Sequence, residues 1–248
     1  MKKDIKLTFI IPAYNEEKII GETLKSILSF LSPKTYTWEV IVVEDGSKDK
    51  TPAIVKSFKK QRVRLISSAE NKGKGAAIRA GVKKSRGEFI IFSDADLSVP
   101  IENIDKLLLE LTKSDVAIGS RRIKGSKILV HQSWLRESMG RVFTFLTRLI
   151  LNSKISDFTC GFKGFRREAA LDIFGKAKLD RWAYDAEILF LAQKRGDKIA
   201  EIPIFWKNRE DTRVVLGNAA LVSFIDLLRI RLNDVLGKYG KNKKIFKD

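Results

Sequence analysis

A fully apolar strand that runs into two carboxylates is encoded by Phe89-Ile90-Ile91-Phe92-Ser93-Asp94-Ala95-Asp96-Leu97. Four successive apolar residues are typical of a strand buried on both faces, as in a parallel sheet with helices above and below. Alternation along an extended chain would point Asp94 and Asp96 to the same side. Ligands of α/β sheets bind at the carboxyl ends of the strands, and Mg²⁺ prefers carboxylate oxygens. The stretch therefore predicts a metal-assisted site, with an exposed acidic loop that caps the next helix as the alternative.

Strand and helix patterns alternate through the first half of the chain. Apolar runs predict strands at 7–11, 38–43, 62–67, 88–93 and 115–119. Apolar residues at helical spacing predict helices at 16–31, 51–60, 74–85 and 101–112 between them. This order indicates a parallel sheet covered on both faces, joined by right-handed crossovers.

The second half is richer in helix. The pattern predicts helices at 134–151, 183–194 and 219–236, with a strand at 199–204. The first and last of these helices each have an apolar side, and we expect most of it to pack on the core. Arginines flank both helices, so a position in a membrane interface is the alternative. The basic tail at 238–248 is predicted to fray and to add attraction for anionic surfaces.

Composition excludes several classes of site. The chain has 248 residues, enough for one large α/β domain. Its single cysteine, Cys160, cannot form an intramolecular disulfide or a cysteine-based zinc site. Its single histidine, His131, makes a histidine-rich metal site or a Ser-His-Asp triad improbable. No run of 18 uncharged apolar residues occurs, so we expect no membrane span.

The positive charge is concentrated in the second half. The formal net charge is +18; residues 121–248 hold 27 Lys+Arg and 14 Asp+Glu, or +13, which leaves +5 for residues 1–120. This asymmetry predicts a polyanionic partner, such as an anionic membrane surface or a phosphorylated substrate. A nucleic-acid-binding protein is the rival class, but the aromatic residues mostly fall at core-like spacing. We therefore expect no nucleic acid.

Four strand ends supply polar residues to one edge of the predicted sheet. Tyr14 offers a wall for a nucleotide base, and Glu44 or Asp45 can accept hydrogen bonds from a base or a ribose. The loop Gly73-Lys74-Gly75 opens a helix, where backbone N–H groups and a lysine favour an anion. The loop lacks the residues of a Walker A motif. Each loop alone is weak evidence, but together they predict a nucleotide-diphosphate site.

The motifs together resemble a known family. Ile11-Pro12-Ala13-Tyr14-Asn15-Glu16, Val43-Glu44-Asp45-Gly46-Ser47 and Asp94-Ala95-Asp96 resemble the signatures of family 2 inverting glycosyltransferases. The resemblance is narrowed to polyprenyl-phosphate glycosyltransferases by Gly73-Lys74-Gly75-Ala76-Ala77-Ile78, Asp94-Ala95-Asp96-Leu97-Ser98 and Gly119-Ser120-Arg121. It extends into the second half through Asp157-Phe158-Thr159-Cys160-Gly161-Phe162-Lys163 and Arg181-Trp182-Ala183-Tyr184-Asp185-Ala186-Glu187. Among these glycosyltransferases, the chain is most similar to the dolichyl-phosphate β-glucosyltransferases, with the mannosyltransferases next. The resemblance covers roughly residues 7 to 236.

The resemblance implies the GT-A nucleotide-diphospho-sugar transferase fold, which has a mixed, mainly parallel sheet with helices on both faces, here with C-terminal amphipathic helices. It divides the chain into a catalytic domain at 1–210 and an amphipathic membrane-surface helix with a basic tail at 211–248. Within the domain, 1–120 would bind the nucleotide sugar and 121–210 the acceptor. The implied activity is transfer of a hexose, foremost glucose from UDP-glucose, with inversion onto dolichyl phosphate at the cytoplasmic face of a membrane. The alternatives are mannosyl transfer from GDP-mannose and transfer to a hydroxyl acceptor.

The resemblance also assigns roles to residues. Asp94 and Asp96 would hold Mg²⁺ or Mn²⁺, and with Asp185 on the acceptor side they form the catalytic set. Trp182 would pack either beneath the sugar or in the core. Three arginines would bind the acceptor phosphate: Arg121, Arg136 and Arg209. The nucleotide sugar would contact Pro12, Tyr14, Glu16, Glu44, Asp45, Lys74, Asp94 and Ala95.

One position departs from the mannosyltransferase pattern. Those enzymes carry a serine four residues after an arginine on the acceptor side, and here Arg136 is followed at that distance by Gly140. The departure favours the glucosyl alternative.

Overall fold

The structure is a computed structural model that describes residues 4–208 and 216–240, with side chains described in the last helix from residue 221 onward. The elements in chain order are β1 (Leu7–Ala13), α1 (Ile20–Leu31), β2 (Trp38–Asp45), α2 (Thr51–Ser57), β3 (Val63–Ser68), α3 (Lys74–Lys84), β4 (Phe89–Phe92), α4 (Asn103–Leu111), β5 (Val116–Ser120), β6 (Lys127–Val130), α5 (Trp134–Leu151), β7 (Lys163–Arg166), α6 (Arg167–Lys176), α7 (Tyr184–Arg195), β8 (Ile199–Pro203), β9 (Phe205–Lys207) and α8 (Leu216–Val235). In the described ranges no helix is both long enough and apolar enough to cross a bilayer.

Seven strands form one sheet in the order β3-β2-β1-β4-β7-β5-β8, and β6 and β9 form a separate pair. Only β7 in the large sheet runs antiparallel to its neighbours; the other pairings are parallel. Every residue of β1, β2 and β4 is buried, because helices cover both faces of the sheet and form two apolar cores, one on each side. The predicted mixed, mainly parallel sheet with helices on both faces is confirmed.

Strand β7 is the main element that the pattern did not predict. It is only four residues long and contains a lysine and a glycine, so it shows neither an apolar run nor an alternation. It lies between β4 and β5, and its antiparallel register sets Lys163 opposite Phe92. The start of β7 therefore lies at the sheet edge where β4 ends.

Helix α1 begins later than predicted, at Ile20 rather than at Glu16. The backbone of Asn15 is left-handed, with a φ of 54°, and the carbonyl of Glu16 accepts from the N–H groups of Ile19 and Ile20. A turn thus separates β1 from α1, and this turn carries the predicted donor-side residues.

The prediction that α8 packs its apolar face on the core is wrong. Seven of its apolar residues are exposed, with relative exposures from 37% to 75%: Leu221, Val222, Phe224, Ile225, Leu228, Leu232 and Val235. Helix α5 is intermediate, because Phe143, Leu146 and Ile150 pack against the core while Val142, Phe145 and Leu149 are exposed.

A buried carboxylate ties the end of α8 to the rest of the fold. Glu187 in α7 accepts from the hydroxyl of Tyr239 at 2.6 Å and from the N–H groups of Lys178 and Leu179 at 2.9 and 2.8 Å. Glu187 has no exposed surface, and burial raises its pKa despite these donors. One side chain therefore joins α7, the segment before it and the C-terminal segment.

The replacement Tyr239→Phe removes one of these donors and leaves the rest of the ring in place. We expect it to lower the free energy of unfolding by about 2 kcal/mol, because a buried carboxylate loses a hydrogen bond. Urea unfolding measures the change. Leu236→Ala, at an exposed side chain of the same segment, is the control and should change it by less than about 0.5 kcal/mol. Equal effects of the two substitutions would contradict this role of Glu187.

Candidate active site

The carboxyl ends of β1, β2 and β4 meet the start of β7 at one edge of the sheet. Ala13 lies opposite Glu44, and Phe92 lies opposite Lys163. The loop after β4 is fastened to α1, since the hydroxyl of Thr23 donates to the carbonyl of Ala95 at 2.6 Å. The structure thus brings the predicted donor-side residues and part of the second half of the chain to one place.

Asp94 lies between a cation and a glycine. Its carboxylate forms an ion pair with the ammonium group of Lys74. Burial alone would raise the pKa of Asp94, but Lys74 outweighs it and holds that pKa below its usual value. A Cβ atom on Gly161 would lie 2.7 Å from the carboxyl carbon of Asp94, so any other residue there would displace the carboxylate. The Asp94 carboxylate is therefore ionised and held in a tight position.

Asp96 lies in the same turn but is held differently. Its two oxygens accept from the backbone N–H of Ser98 at 2.9 Å and from the hydroxyl of Ser98 at 2.8 Å. Strand β4 ends at Phe92, and Ala95 and Asp96 form a turn. The prediction that strand alternation orients Asp94 and Asp96 is therefore wrong, although both carboxylates follow β4 as expected.

The backbone at the start of α3 is not a free anion site, which corrects the expectation for Gly73-Lys74-Gly75. The N–H groups of Gly75 and Ala76 donate to the carbonyl of Asp180 at 2.8 and 3.3 Å. A Cβ atom on Gly73 would lie 2.5 Å from that same carbonyl oxygen. These glycines allow a close approach of the segment before α7. What the loop can still offer to an anion is the side chain of Lys74.

Glu44 and Asp45 shape the loops around them. Both are buried; Glu44 accepts from the N–H of Ser47, and Asp45 accepts from the N–H groups of Lys72 and Gly73 at 3.1 and 2.7 Å. The hydrogen bonds of Asp45 join the end of β2 to the loop before α3. Their contact with a base or a ribose stays a prediction.

Hydrogen bonds join the loop after β1 to the loop after β2. The N–H of Asn15 donates to the hydroxyl of Ser47 at 2.9 Å, and its side-chain oxygen accepts from the N–H of Lys48 at 2.8 Å. Tyr14 and Glu16 on either side are half-buried. Their contacts with a nucleotide sugar, and those of Pro12, stay predictions.

Arg121 on the acceptor side is held by a buried carboxylate. Its Nε and Nη2 atoms donate to the two oxygens of Asp157 at 2.7 and 2.8 Å, and Nη2 also donates to Thr159 at 2.7 Å. Its guanidinium lies over the ring of Trp206, 5.4 Å from the centroid. Asp157 is fully buried; burial would raise its pKa, but Arg121 outweighs burial and lowers it to about 2. The pair fixes the guanidinium in one orientation.

Arg122 is a candidate that the motif comparison missed, although the sequence shows two adjacent arginines after Ser120. Its Nη2 lies 3.4 Å from the position that a Cβ atom of Gly140 in α5 would occupy. Within residues 4–208 and 216–240, no carboxylate forms an ion pair with it. Burial and the charges of Arg121 and Arg141 lower its pKa more than Asp157 raises it. The positive charge of Arg122 is thus not balanced by a paired carboxylate in the described part of the chain.

Asp185 lies at the start of α7, buried beside the donor edge. Its carboxylate pairs with the ammonium of Lys163, which has no exposed surface and also donates to the carbonyl of Cys160. Asp185 is therefore a paired carboxylate, and its catalytic role stays a prediction. Trp182 is 47% exposed, which excludes the core alternative. Arg136 is half-buried in the first turn of α5, and Arg209 lies outside the described residues.

Comparisons with known proteins identify the family of the chain. The family profile described as "Glycosyl transferase family 2" matches residues 8–174. The chain belongs to this family. It is 36% identical to "Dolichyl-phosphate beta-glucosyltransferase ALG5C" of Trichomonas vaginalis, over 92% of this chain and 72% of that protein. It is 35% identical to "Dolichyl-phosphate beta-glucosyltransferase" of Homo sapiens, over 94% of this chain and 77% of that one.

Solved structures of other proteins share the fold. TarS of S. aureus, residues 1–349, superposes with a TM-score of 0.58 at 20% identity, covering 95% of this chain and 80% of that one. Glucosyl-3-phosphoglycerate synthase of Mycobacterium tuberculosis, in complex with Mn²⁺, UDP-glucose and phosphoglyceric acid, gives a TM-score of 0.63 at 18% identity. That match covers 97% of this chain and 82% of the synthase. These similarities confirm the GT-A-like fold.

A methyl group at residue 161 tests the tight position of Asp94. In Gly161→Ala the new Cβ atom would displace the Asp94 carboxylate, and we expect the glycosyltransferase turnover to fall about 100-fold, the loss typical of a misplaced reacting group. Gly175→Ala in α6 is the matched control, because nothing lies within 4 Å of its Cβ position. Turnover is measured by release of the nucleotide diphosphate. If both substitutions left turnover unchanged, Asp94 would not need its observed position.

Proposed function

We propose that this chain transfers glucose from UDP-glucose, with inversion, to dolichyl phosphate or a related polyprenyl phosphate. The observation that carries the proposal is the arrangement of charge at the sheet edge. The donor side has a turn with two carboxylates. On the acceptor side the three guanidiniums of Arg121, Arg122 and Arg141 outnumber the carboxylates that pair with them, so the net charge there is positive. An acceptor that is itself an anion fits such a surplus. The activity named for the relatives supports the same acceptor and sugar.

The donor side suits a divalent cation held together with a diphosphate. Asp94 already has a cationic partner, Lys74, and Asp96 lies two residues away in the same turn. In the described part of the chain no group of three or more His, Cys, Asp or Glu side chains could hold a metal. Two carboxylates with substrate phosphate oxygens form a common Mg²⁺ site. Bound Mg²⁺ or Mn²⁺ would stabilise the negative charge of the departing diphosphate.

The remaining donor-side residues would bind and orient the nucleotide sugar. Tyr14 would stack on the base, while Glu44 and Asp45 would accept from the base or the ribose. Lys74 would add positive charge beside the diphosphate. Pro12, Glu16 and Ala95 would contact the donor through the loops that carry them. Fixed positions of this kind lower the barrier mainly through orientation and electrostatics.

The acceptor chemistry needs little proton transfer. A phosphate monoester is an anion at neutral pH, so one of its oxygens can attack the sugar carbon directly while the diphosphate leaves from the opposite face. Asp185, paired with Lys163, fits a positioning role better than that of a strong base. Arg121, Arg136 and Arg209, with Arg122 added, would bind the phosphate. The proposal includes a reaction at the cytoplasmic face of a membrane, with the protein attached peripherally or through an anchoring partner.

A donor panel tests the sugar and the metal site. The protein is incubated with UDP-glucose, GDP-mannose or UDP-N-acetylglucosamine, a polyprenyl phosphate and Mg²⁺ or Mn²⁺, and lipid-linked sugar is measured by mass spectrometry. We expect UDP-glucose to be used at least about tenfold faster than the others.

The metal site is tested in the same assay. Asp96→Asn should lower turnover at least about 100-fold, and a chelator should abolish it. Asp172→Asn, in the half-buried i,i+4 pair with Lys176 on α6, is the control. Preference for GDP-mannose, or full turnover by Asp96→Asn, would overturn these assignments.

Arg122 is tested through the KM for the acceptor. Arg122→Ala should raise the KM for the lipid phosphate about tenfold and leave the KM for UDP-glucose unchanged, because a charge-assisted hydrogen bond to phosphate is lost. Arg122→Lys should recover part of the loss, since it keeps the charge but not the planar fork. Arg62→Ala, at the opposite end of the sheet over the ring of Trp38, is the control. An increase in the KM for UDP-glucose instead would place Arg122 on the donor side.

A further inference from the structure

Helix α8 shows the reverse of the polarity expected for a helix on a water-soluble surface. Its buried side contains three polar residues, Ser223, Asp226 and Asn233, beside Leu227 and Ile230. Its exposed side is mostly apolar, as described above. A surface helix in water normally buries its apolar stripe and exposes its polar one. The exposed side of α8 is therefore built for an apolar environment.

Helix α5 continues this surface. The two helices pack against each other, and the inner residues of both, Leu151 in α5 and Leu227 and Ile230 in α8, belong to the same core. Their outer sides therefore point away from that core together. We call the outer apolar residues of the pair the docking face; its main members are Phe145, Leu149, Ile225, Leu228, Leu232 and Val235. Exposed apolar side chains that cluster on neighbouring helices and are rimmed by polar residues are typical of an interaction site.

The charges around the docking face are sorted by sign. The guanidinium side chains of Arg141, Arg229 and Arg231 are 51% to 75% exposed. Their carboxylate partners on the same helices are turned inward: Glu137, Asp226 and Asp234 are only 8% to 21% exposed. The outer surface is therefore basic around an apolar centre. That combination complements a bilayer with anionic headgroups.

We propose that the docking face lies in the interface of a bilayer that contains anionic lipids, with its apolar side chains among the upper parts of the acyl chains. The proposal rests on the proposed function, since a polyprenyl acceptor is itself embedded in a bilayer. Two copies of the chain joined through this face would bring two basic rims together, which like-charge repulsion disfavours. A bilayer removes the same apolar surface from water without that repulsion.

Helix α5 separates the docking face from the acceptor side of the candidate active site. The Nη2 atom of Arg122 lies 3.4 Å from the Cβ position of Gly140 on the inner side of α5, whereas Phe145 lies on its outer side. A lipid phosphate at Arg121 and Arg122 would therefore lie one helix diameter, ~10 Å, from the bilayer-seated surface. The polyprenyl tail could stay in the bilayer while its phosphate reaches the sugar. Docking in this orientation would raise turnover on long-chain acceptors without any new contact to UDP-glucose.

Sedimentation with vesicles tests the docking face in the full chain. The vesicles contain phosphatidylcholine alone or with about one-third phosphatidylserine, and the expected result is binding to the anionic vesicles that weakens as salt rises. The double variant Leu228→Glu/Leu232→Glu should reduce the partition coefficient at least about tenfold, because two apolar side chains become charged. Leu109→Glu on α4, also exposed, should bind as the unaltered chain does. Circular dichroism melting confirms that the variants are folded.

The length of the acceptor separates the docking proposal from the proposed function. The double variant should keep its turnover on a water-soluble short-chain polyprenyl phosphate and lose it on dolichyl phosphate in vesicles. The docking proposal is overturned if the unaltered chain stays in the supernatant with anionic vesicles, or if the double variant sediments equally well. It is also overturned if light scattering shows a dimer that the double substitution dissociates. Vesicle binding without glucosyl transfer to either acceptor would support docking and refute the proposed function instead.

Discussion

The antiparallel insertion of β7 between β4 and β5 is the constraint on which the site depends. A parallel strand at that position would begin at the far edge of the sheet, but the antiparallel register places Lys163 opposite Phe92, where β4 ends. The residues just before β7 then lie against the loop that follows β4. Gly161 contacts the Asp94 carboxylate, and Lys163 reaches Asp185. A short pairing of backbone hydrogen bonds thus joins the acceptor half to the donor half.

The two sides of the site differ in how their charged side chains are paired. On the donor side Asp94 is paired with Lys74, and on the acceptor side Arg121 is paired with Asp157. The additional guanidinium of Arg122 has no such partner in the described chain. A diphosphate with its metal suits the first side, and a lone phosphate suits the second. The basic second half of the sequence is consistent with this division.

The sequence predicted the elements with strong patterns and missed those that depend on tertiary contacts. The apolar runs of β1, β2 and β4 and the amphipathic pattern of α5 were sufficient to place them, and the alternation of elements predicted the sheet. Strand β7 has no pattern of its own, because its neighbours supply its burial and its pairing. The anion-binding role of the amides at the start of α3 was wrong because the carbonyl of Asp180, far away in sequence, occupies two of them. The apolar pattern of α8 was recognised, but a pattern alone does not tell whether the core or a bilayer covers it.

The anionic character of the acceptor is the central claim, and a comparison of dolichyl phosphate with dolichol tests it most directly. Both carry the same polyprenyl chain, but only the first offers the phosphate that we propose Arg121 and Arg122 bind. With UDP-glucose and Mg²⁺ or Mn²⁺, the account predicts a β-linked glucosyl phosphate from dolichyl phosphate, identified by NMR of the purified lipid, and no product from dolichol. Glucosylation of dolichol at a comparable rate, or an α-linked product, would contradict it.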